Sequence, residues 1–343
     1  MDLLLVVAIA AIVLALAFTF TNGFQDASAV AATMVASRAT TPRKGIALVA
    51  VTDFLGALLG GSAVAFTISG LVTISEGPTV VYVMLVAVTG ATIWNITAWR
   101  FGMPSSSTHA LIGGLVGAAL AAEGISSVAW GLDELTAPQP ELTGLVKILL
   151  FLFISIVIGF AGGYLMVKAS GLLLRNAKAT LNRSISRAEW IAAGLLSFGN
   201  GANDAQKQMG VIILVLLSAG AASDIGIPWE VRLATALALG LGTLGGGWRI
   251  MRTLGQKIFS IRPIDSLDTQ LASGGSIILS TLAGAPVSST HVIASSILGA
   301  GAGVNPRMVR WSVGKEIVYS WVLTIPATIA VSAGLYWLLF GWL

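Results

Sequence analysis

The 343-residue chain has no cysteine, only two histidines, and a charged fraction of only 10%. The absence of cysteine excludes disulfides, thiolate metal sites and a cysteine nucleophile, and two histidines leave little material for a zinc site. Water-soluble domains carry about 25% charged residues, whereas 56% of this chain is hydrophobic. Most of the protein surface therefore cannot face water.

Long apolar runs dominate the sequence. They cover 3–21, 45–69, 79–99, 106–122, 143–167, 188–221, 231–247, 270–283, 287–304 and 317–341. Several reach the ~20 residues that a membrane-spanning helix requires. Continuous Leu/Val/Ala/Gly runs do not fit the alternating segments of a membrane β-barrel. The sequence therefore predicts an all-α polytopic membrane protein.

Basic residues are concentrated in four short loops, at 38–44, 168–187, 249–262 and 307–315. By the positive-inside rule these loops are cytoplasmic. The loops at 69–78, 123–141 and 222–230 are acidic and fall outside, which places both termini outside. The basic residues behind the net charge of +4 thus lie in cytoplasmic loops and do not indicate a nucleic-acid-binding surface. We expect a multi-pass protein of the cell membrane, surrounded by lipids, with no nucleic-acid partner.

Two motifs occur twice. NGFQDA at 22–27 returns 178 residues later as NGANDA at 200–205, and GMPSSSTH at 102–109 returns 182 residues later as GAPVSSTH at 284–291. Repeats in the same order at nearly the same offset indicate two homologous halves. We expect a first repeat at 1–170, a cytoplasmic basic linker at 171–187 and a second repeat at 188–343.

Equivalent loops of the two halves have opposite charge: the loop at 38–44 is basic and its counterpart at 222–230 is acidic, whereas 69–78 is acidic and 249–262 is basic. This pattern indicates an inverted-topology repeat. In transporters this arrangement places the substrate site near the membrane midplane, on discontinuous helices. The segments 270–304 and 91–120 carry the second motif between short apolar arms, as re-entrant hairpins would. Two full membrane crossings would place the flanking loops on the same sides as a re-entrant hairpin does, so both arrangements remain open.

The first motif supplies a carboxylate to each half, Asp26 and Asp204. A carboxylate inside a bilayer is costly and marks a functional site, with cations or protons as partners. Helical spacing puts Asn22 beside Asp26, and Asn200 and Lys207 beside Asp204. The alternative is that these polar clusters satisfy a buried turn or an interface. We expect Lys207 to bridge to Asp204 or to approach the substrate, with the i, i+3 spacing favouring Asp204.

The second motif supplies a row of hydroxyls to each half. If helices begin there, free N–H groups and the positive end of the helix dipole add to a cradle for phosphate or sulfate; plain helix capping is the alternative. His109 and His291 could carry protons, orient hydroxyls or only form hydrogen bonds. Arg100 could face the anion or anchor the interface. We interpret Asp53 as an interface or helix-end charge.

With these motifs the chain resembles the inorganic phosphate transporter (PiT) family. The Gly-Ala-Asn-Asp signature of that family is intact at 201–204, whereas the first copy reads Gly23-Phe24-Gln25-Asp26. The Pro-x-Ser-Ser/Thr-Thr/Ser-His motif is matched at 104–109, with Trp94-Asn95 before it, and again at 286–291. The likeness spans both halves.

The resemblance implies symport of inorganic phosphate with sodium ions or protons, no other cofactor, and the ability to form homodimers. The expected phosphate ligands are Gln25, Ser105, Ser106, Ser107, Thr108, Asn203, Gln206, Ser288, Ser289 and Thr290. The expected coupling residues are Asn22, Asp26, Asn200 and Asp204, with sodium at Asp26 and Asp204 and with Lys207, His109, His291 and Arg100 in support. A passive anion channel, or symport of a related oxyanion such as sulfate, is the alternative. An intramembrane hydrolase is disfavoured because a catalytic triad needs one nucleophile, and here the motif is duplicated.

Overall fold

The apolar runs form helices throughout the part of the chain that the computed structural model describes, residues 3–75, 77–101, 103, 105–246, 248–256 and 258–342. In a bilayer every backbone N–H and C=O needs a partner within the protein, and a helix supplies it within one segment. Among the described residues there is one isolated β-bridge, Val72 to Val128, and no β-strand.

The two halves repeat one order of helices. The first half contains α1 (Leu3–Ala36), α2 (Pro42–Leu59), α3 (Ala63–Ser69), α4 (Pro78–Phe101), α5 (Ser107–Glu123), α6 (Leu132–Thr136) and α7 (Gly144–Leu173). The second contains α8 (Asn182–Ser218), α9 (Trp229–Gly245), α10 (Trp248–Gln256), α11 (Pro263–Leu282), α12 (Ser289–Val304) and α13 (Trp311–Phe340). Only the short α6 has no counterpart among the described helices.

Four helices, α1, α4, α7 and α13, are long and apolar enough to cross a membrane, and the bent pair α2 and α3 makes a fifth if it is one span. The prediction of an all-α polytopic membrane protein is confirmed. The halves join between Leu173 and Asn182, a shorter connection than the expected 171–187 linker, because α8 begins before Arg183 and Arg187. The inverted orientation and the repeat boundaries remain predictions.

Each second motif lies between two helices, and each such pair is called a hairpin here, whether or not its helices cross the membrane. The first helix of each hairpin, α4 or α11, is longer than its apolar run. α4 and α11 begin at Pro78 and Pro263, because proline fits the first turn of a helix, where its missing N–H is not needed. α5 packs against α4, and α12 packs against α11. The two connections between these helices are called here the first tip (102–106) and the second tip (283–288). Asn203, in the middle of α8, contacts the second tip. Gly102 and Pro104 fall outside the described residues.

The long helices of each half pack on the other half through the glycine of the first motif. A Cβ on Gly201 of α8 would lie 2.1 Å from the carbonyl oxygen of Asp53 in α2, and one on Gly23 of α1 would lie 2.4 Å from that of Leu239 in α9. Small residues at such crossings let helix backbones approach closely. The motif glycines therefore hold the two halves together.

The hairpins also exchange partners. α7 of the first half packs on α11 and α12, whereas α13 of the second half packs on α4 and α5. Each hairpin is thus supported by the last helix of the other half, and the two tips face each other.

Candidate functional site

The two tips have the same local geometry. α5 is capped by Ser106, whose side chain accepts a hydrogen bond from the His109 N–H, and α12 is capped by Ser288, which accepts one from the His291 N–H. Both capping serines have extended backbones, as N-caps require. Capping thus uses one hydroxyl in each tip and leaves the neighbouring hydroxyls for other contacts.

The second tip contacts the start of α5. The Thr108 hydroxyl donates to the Val287 carbonyl at 2.9 Å, which joins the start of α5 to the second tip. Ser105 receives a hydrogen bond from the Trp94 indole and lies 3.0 Å from the Thr324 hydroxyl of α13. Ser105 therefore positions the first tip.

Both motif carboxylates lie at this meeting point. Thr290 of α12 donates to Asp26, and the Ser289 hydroxyl lies 3.5 Å from Asp204. Asp26 and Asp204 are both buried, and they contact neighbouring residues, Thr290 and Ser289, in the first turn of α12. The sequence repeat therefore brings together two carboxylates that are 178 positions apart.

Lys207 is the cation next to this pair. Its ammonium contacts Asp204, and donates to the Thr108 hydroxyl at 2.6 Å and to the Val287 carbonyl at 2.7 Å. An ammonium group has three N–H donors, so all three are used. The expected i, i+3 contact with Asp204 is present, and in this arrangement no donor of Lys207 is left for an anion.

Asp53 of α2 forms a second buried carboxylate centre that the sequence interpretation missed. It is 0% exposed, and it accepts hydrogen bonds from Ser197 at 2.8 Å, Asn200 at 3.0 Å and Thr243 at 3.1 Å. The interpretation as an interface or helix-end charge is therefore wrong. Its partners lie at least 144 positions away, and the only local signal was an aspartate inside an apolar run.

The Asp53 centre has neutral donors but no ion pair among the described residues, where the two ion pairs are Lys207 with Asp204 and Arg262 with Asp265. The Asn200 side-chain oxygen is buried without a hydrogen-bond partner. A buried carboxylate surrounded by hydroxyl and amide oxygens offers the ligands that a hard cation prefers. The centre is linked to the tips through α8, since Asn200 lies one helical turn before Asp204.

Three expected phosphate ligands make contacts that support the backbone. Asn203 donates to Thr281 and to the Ala285 carbonyl, and accepts from the Val287 N–H, so it braces the second tip. The Gln25 amide donates to the Asn95 carbonyl of α4 at 2.6 Å.

Gln206 bridges the 72° bend between α2 and α3. It accepts from the Val64 N–H and donates to the Gly60 carbonyl, each at 2.8 Å. Interrupted helices leave such groups without partners, and Gln206 supplies both.

The imidazole rings of the two histidines lie against each other in a tilted arrangement. Their ring centroids are 4.6 Å apart, and His291 lies 3.9 Å from the Trp321 ring of α13. Arg100, in contrast, lies exposed in the last turn of α4, and Asn22 is buried with its side-chain oxygen unpartnered. The described residues contain no group of three or more acidic or histidine side chains that could hold a metal ion by themselves.

The chemistry of the centre suits an anion together with cations. α5 and α12 both begin where the two hairpins meet, and the first N–H groups and positive dipole end of a helix favour an anion. The flanking side chains Ser107, Thr108, Ser289 and Thr290 are all buried. Two carboxylates beside this meeting point make anion binding unfavourable unless cations or protons bind with the anion.

Comparisons with known proteins agree with this chemistry. A family model described as "Phosphate transporter family" matches residues 22–185 and 174–332. The chain is 38% identical to a "Probable low-affinity inorganic phosphate transporter" of Bacillus subtilis (strain 168), over 99% of both chains, and 38% identical to one of Rhizobium meliloti (strain 1021), over 95% of this chain and 94% of the relative.

A solved structure titled "The sodium-dependent phosphate transporter" matches with a TM-score of 0.87 and 25% identity, covering 98% of this chain and 100% of the other. These proteins are named as transporters, which supports a transporter and not an enzyme. The resemblance that the sequence motifs indicate is thereby confirmed: the chain belongs to the phosphate transporter family.

Proposed function

We propose that this protein is a secondary active symporter that imports inorganic phosphate together with sodium ions. The observation that carries the proposal is the meeting of two hydroxyl-rich helix N-termini beside the buried carboxylates Asp26 and Asp204. Such a centre can hold an anion only together with cations, which is what obligatory co-transport requires.

The phosphate would bind between the tips. Its oxygens would accept hydrogen bonds from the first backbone N–H groups of α5 and α12 and from the hydroxyls of Ser107, Thr108, Ser289 and Thr290. Ser105, Gln25, Asn203 and Gln206 act by holding the tips and the helix bend in place. Arg100 is left out of the proposed site because it is exposed.

The cations would bind at two places. The first is Asp26, which has one carboxylate oxygen without a partner, together with the neighbouring Asn22 oxygen and Asp204. The second is the Asp53 centre with the unpartnered Asn200 oxygen. The name of the sodium-dependent structural neighbour supports sodium; the same oxygens would accept protons, which is the alternative coupling ion.

Transport would proceed by alternating access. The tip hydroxyls, Asp26, Asp204 and Asp53 are all less than a tenth exposed, so this arrangement is closed toward both sides. The exchange of α7 and α13 between the hairpins provides two similar groups of helices that could move past each other. The opposite charge of equivalent loops supports hairpins that enter from opposite faces. We further propose location in the cell membrane with both termini outside, and assembly as homodimers.

The decisive experiment is phosphate uptake into proteoliposomes, first with an imposed sodium gradient and then with an imposed proton gradient. We expect uphill accumulation with sodium, and its loss in Asp26→Asn and Asp204→Asn. Asp133→Asn, at an exposed position, is the matched control and should transport normally. Accumulation driven by a proton gradient alone would show that protons, and not sodium ions, are the coupling ions. Normal uptake in both motif variants would refute the coupling role.

Two alternatives predict different results. A passive anion channel would equilibrate phosphate without accumulating it under either gradient. A sulfate symporter would accumulate sulfate in preference to phosphate when both are offered at equal concentration. The closed, buried tips favour a carrier over a channel, because a channel needs a continuous open path.

The Asp53 centre is tested separately from Asp26 and Asp204. If it binds sodium, sodium should raise the melting temperature of the detergent-purified protein, and Asp53→Asn should reduce this shift. The control, Asp133→Asn, should keep it. An unchanged sodium shift in Asp53→Asn would exclude a sodium site there.

A further inference from the structure

A groove lined by arginines lies at the end of α1, away from the tips. Its larger part is a cavity of about 510 Å³ lined by Arg38, Arg310, Ser260 and apolar residues. A smaller cavity of about 200 Å³ adds Arg252 and shares Val35, Ala36 and Gly255 with the first. Together they form one continuous groove, called here the arginine groove. Its size is that of a typical small-molecule site, 300–1,000 Å³.

The three arginines come from three separate segments. Arg38 follows α1 in the first half, Arg252 lies on α10, and Arg310 precedes α13 in the second half. All three side chains are exposed, and neither of the two ion pairs among the described residues includes any of them. Among the described residues, none that lines either cavity is acidic. The groove therefore concentrates positive charge that the protein itself does not neutralise.

The backbone at Arg38 is an independent sign of function. Arg38 has a φ of 63° and is the only residue other than glycine with positive φ in the described part of the chain. It ends α1 in a Schellman motif, with Arg38 N–H donating to Val35 O and Ala39 N–H to Met34 O, at the position where glycine is the usual residue. A strained residue kept where glycine would fit more easily points to a role for its side chain.

The position of Arg310 is fixed as well. Its N–H donates to the Ile258 carbonyl at 2.9 Å, which ties the turn before α13 to the segment after α10. α10 packs on α1, so the three arginines sit on segments that contact one another. Any ligand that bridges them would fasten α1, α10 and the start of α13 together.

We propose that the arginine groove binds a soluble cytoplasmic anion with two or more linked phosphate groups, and that this binding slows phosphate uptake. Guanidinium groups bind phosphate oxygens in a bidentate, planar geometry. Three of them, distributed over two joined cavities, match a chain of phosphates better than a single phosphate. The loops that carry them are those expected to be cytoplasmic by the positive-inside rule.

The groove is separate from the proposed transport site. Arg38 lies twelve residues after Asp26 along α1, about 18 Å at 1.5 Å per residue. None of the described residues that line the arginine groove belongs to the tips or to the Asp53 centre. The inhibition would act mechanically, because alternating access requires helix groups to move and the bound anion would hold three segments together.

Binding is tested on the purified full-length protein with tripolyphosphate as the probe, in saturating inorganic phosphate and sodium so that the transport site is filled. We expect the double variant Arg38→Gln with Arg310→Gln to raise the half-saturating concentration of tripolyphosphate at least tenfold. The matched control is Arg43→Gln with Arg307→Gln, which removes the same charge from the same two loops at exposed positions outside the groove. It should shift binding less than twofold. Arg38→Gly with Arg310→Gln serves as a second variant in case the first folds poorly.

Uptake is then measured with tripolyphosphate trapped inside proteoliposomes. The maximal rate of phosphate uptake should fall at least twofold in the wild type and stay unchanged in Arg38→Gln with Arg310→Gln. No binding by the wild type, or equal losses in the groove and control variants, would overturn the site. Loss of binding when phosphatidylglycerol is added to the bilayer would assign the groove to lipid headgroups. Binding without inhibition would overturn the regulatory role. Each of these outcomes leaves the symport test unaffected.

Discussion

The imidazole rings of His109 and His291 lie 4.6 Å apart, centroid to centroid, with 33° between their planes. They are the only two histidines of the chain, they follow equivalent capping serines, and they come from opposite hairpins. His291 is further covered by Trp321 at 3.9 Å. At this contact between the two hairpins, three rings therefore pack in a row, His109, His291 and Trp321.

The stack gives the first prediction. His291→Ala removes a ring that is fully buried between two others and should lower the free energy of unfolding by about 2–5 kcal/mol. His109→Ala should cost less because its ring stacks on only one of the others. Both His291 ring nitrogens are without partners among the described residues, so His291→Phe, which keeps a ring but is larger, should cost only the overpacking, about 1–3 kcal/mol.

Thermal melting of detergent-purified variants measures these differences, and sodium-driven phosphate uptake by His291→Phe completes the test. Retained uptake means that the ring acts by packing. Lost uptake in a stable His291→Phe protein would contradict this and assign a polar role to the imidazole.

The second prediction concerns Lys207. Lys207→Met leaves the Asp204 carboxylate buried without its cation, which should cost about 3–5 kcal/mol. Combining it with Asp204→Asn removes the unpaired charge, so the double variant should melt closer to the wild type than Lys207→Met does, while still failing to transport. No recovery in the double variant, together with loss of phosphate-induced stabilisation in Lys207→Met, would show that the lysine acts mainly on phosphate.

The sequence was sufficient for those features that depend on local pattern or on the repeat. Apolar runs predicted the helices, and the duplicated motifs pointed to Asp26, Asp204 and the tip hydroxyls, which the structure brings together. The spacing of Lys207 from Asp204 predicted their contact, because three residues along a helix are neighbours wherever the helix lies.

Features that depend on contacts between distant segments could not be predicted. Asp53 finds its partners on α8 and α9, and nothing in its own surroundings in the sequence specifies them. Gln206 was expected at phosphate, yet its amide spans the bend between α2 and α3, because the need for a partner arises only once that helix is broken. The cavity at Arg38 likewise exists only after three loops have come together.

The third prediction tests the crossing of α2 and α8. Gly201→Ala would place a methyl group 2.1 Å from the Asp53 carbonyl, which forces the helix backbones apart and should cost more than about 2 kcal/mol. Gly275→Ala, inside α11 with no atom within 4 Å of the new methyl, is the control and should stabilise by up to about 1 kcal/mol. Melting curves compare the two. If Gly201→Ala melts like Gly275→Ala, the close approach does not hold the halves together.

The last prediction concerns the strained end of α1. Arg38 occupies the left-handed region at φ 63°, which costs a residue other than glycine about 1–3 kcal/mol, whereas glycine adopts it freely but loses about 0.5–1 kcal/mol more backbone entropy on folding. Arg38→Gly should therefore raise the free energy of unfolding by up to about 2.5 kcal/mol. Arg43→Gly, in the first turn of α2, loses the same charge without relieving strain and should lower it by about 0.5–1 kcal/mol. Opposite shifts in melting temperature for the two variants are expected. Destabilisation of both by similar amounts would mean that contacts of the Arg38 side chain outweigh its backbone strain, and that the arginine is kept there for stability.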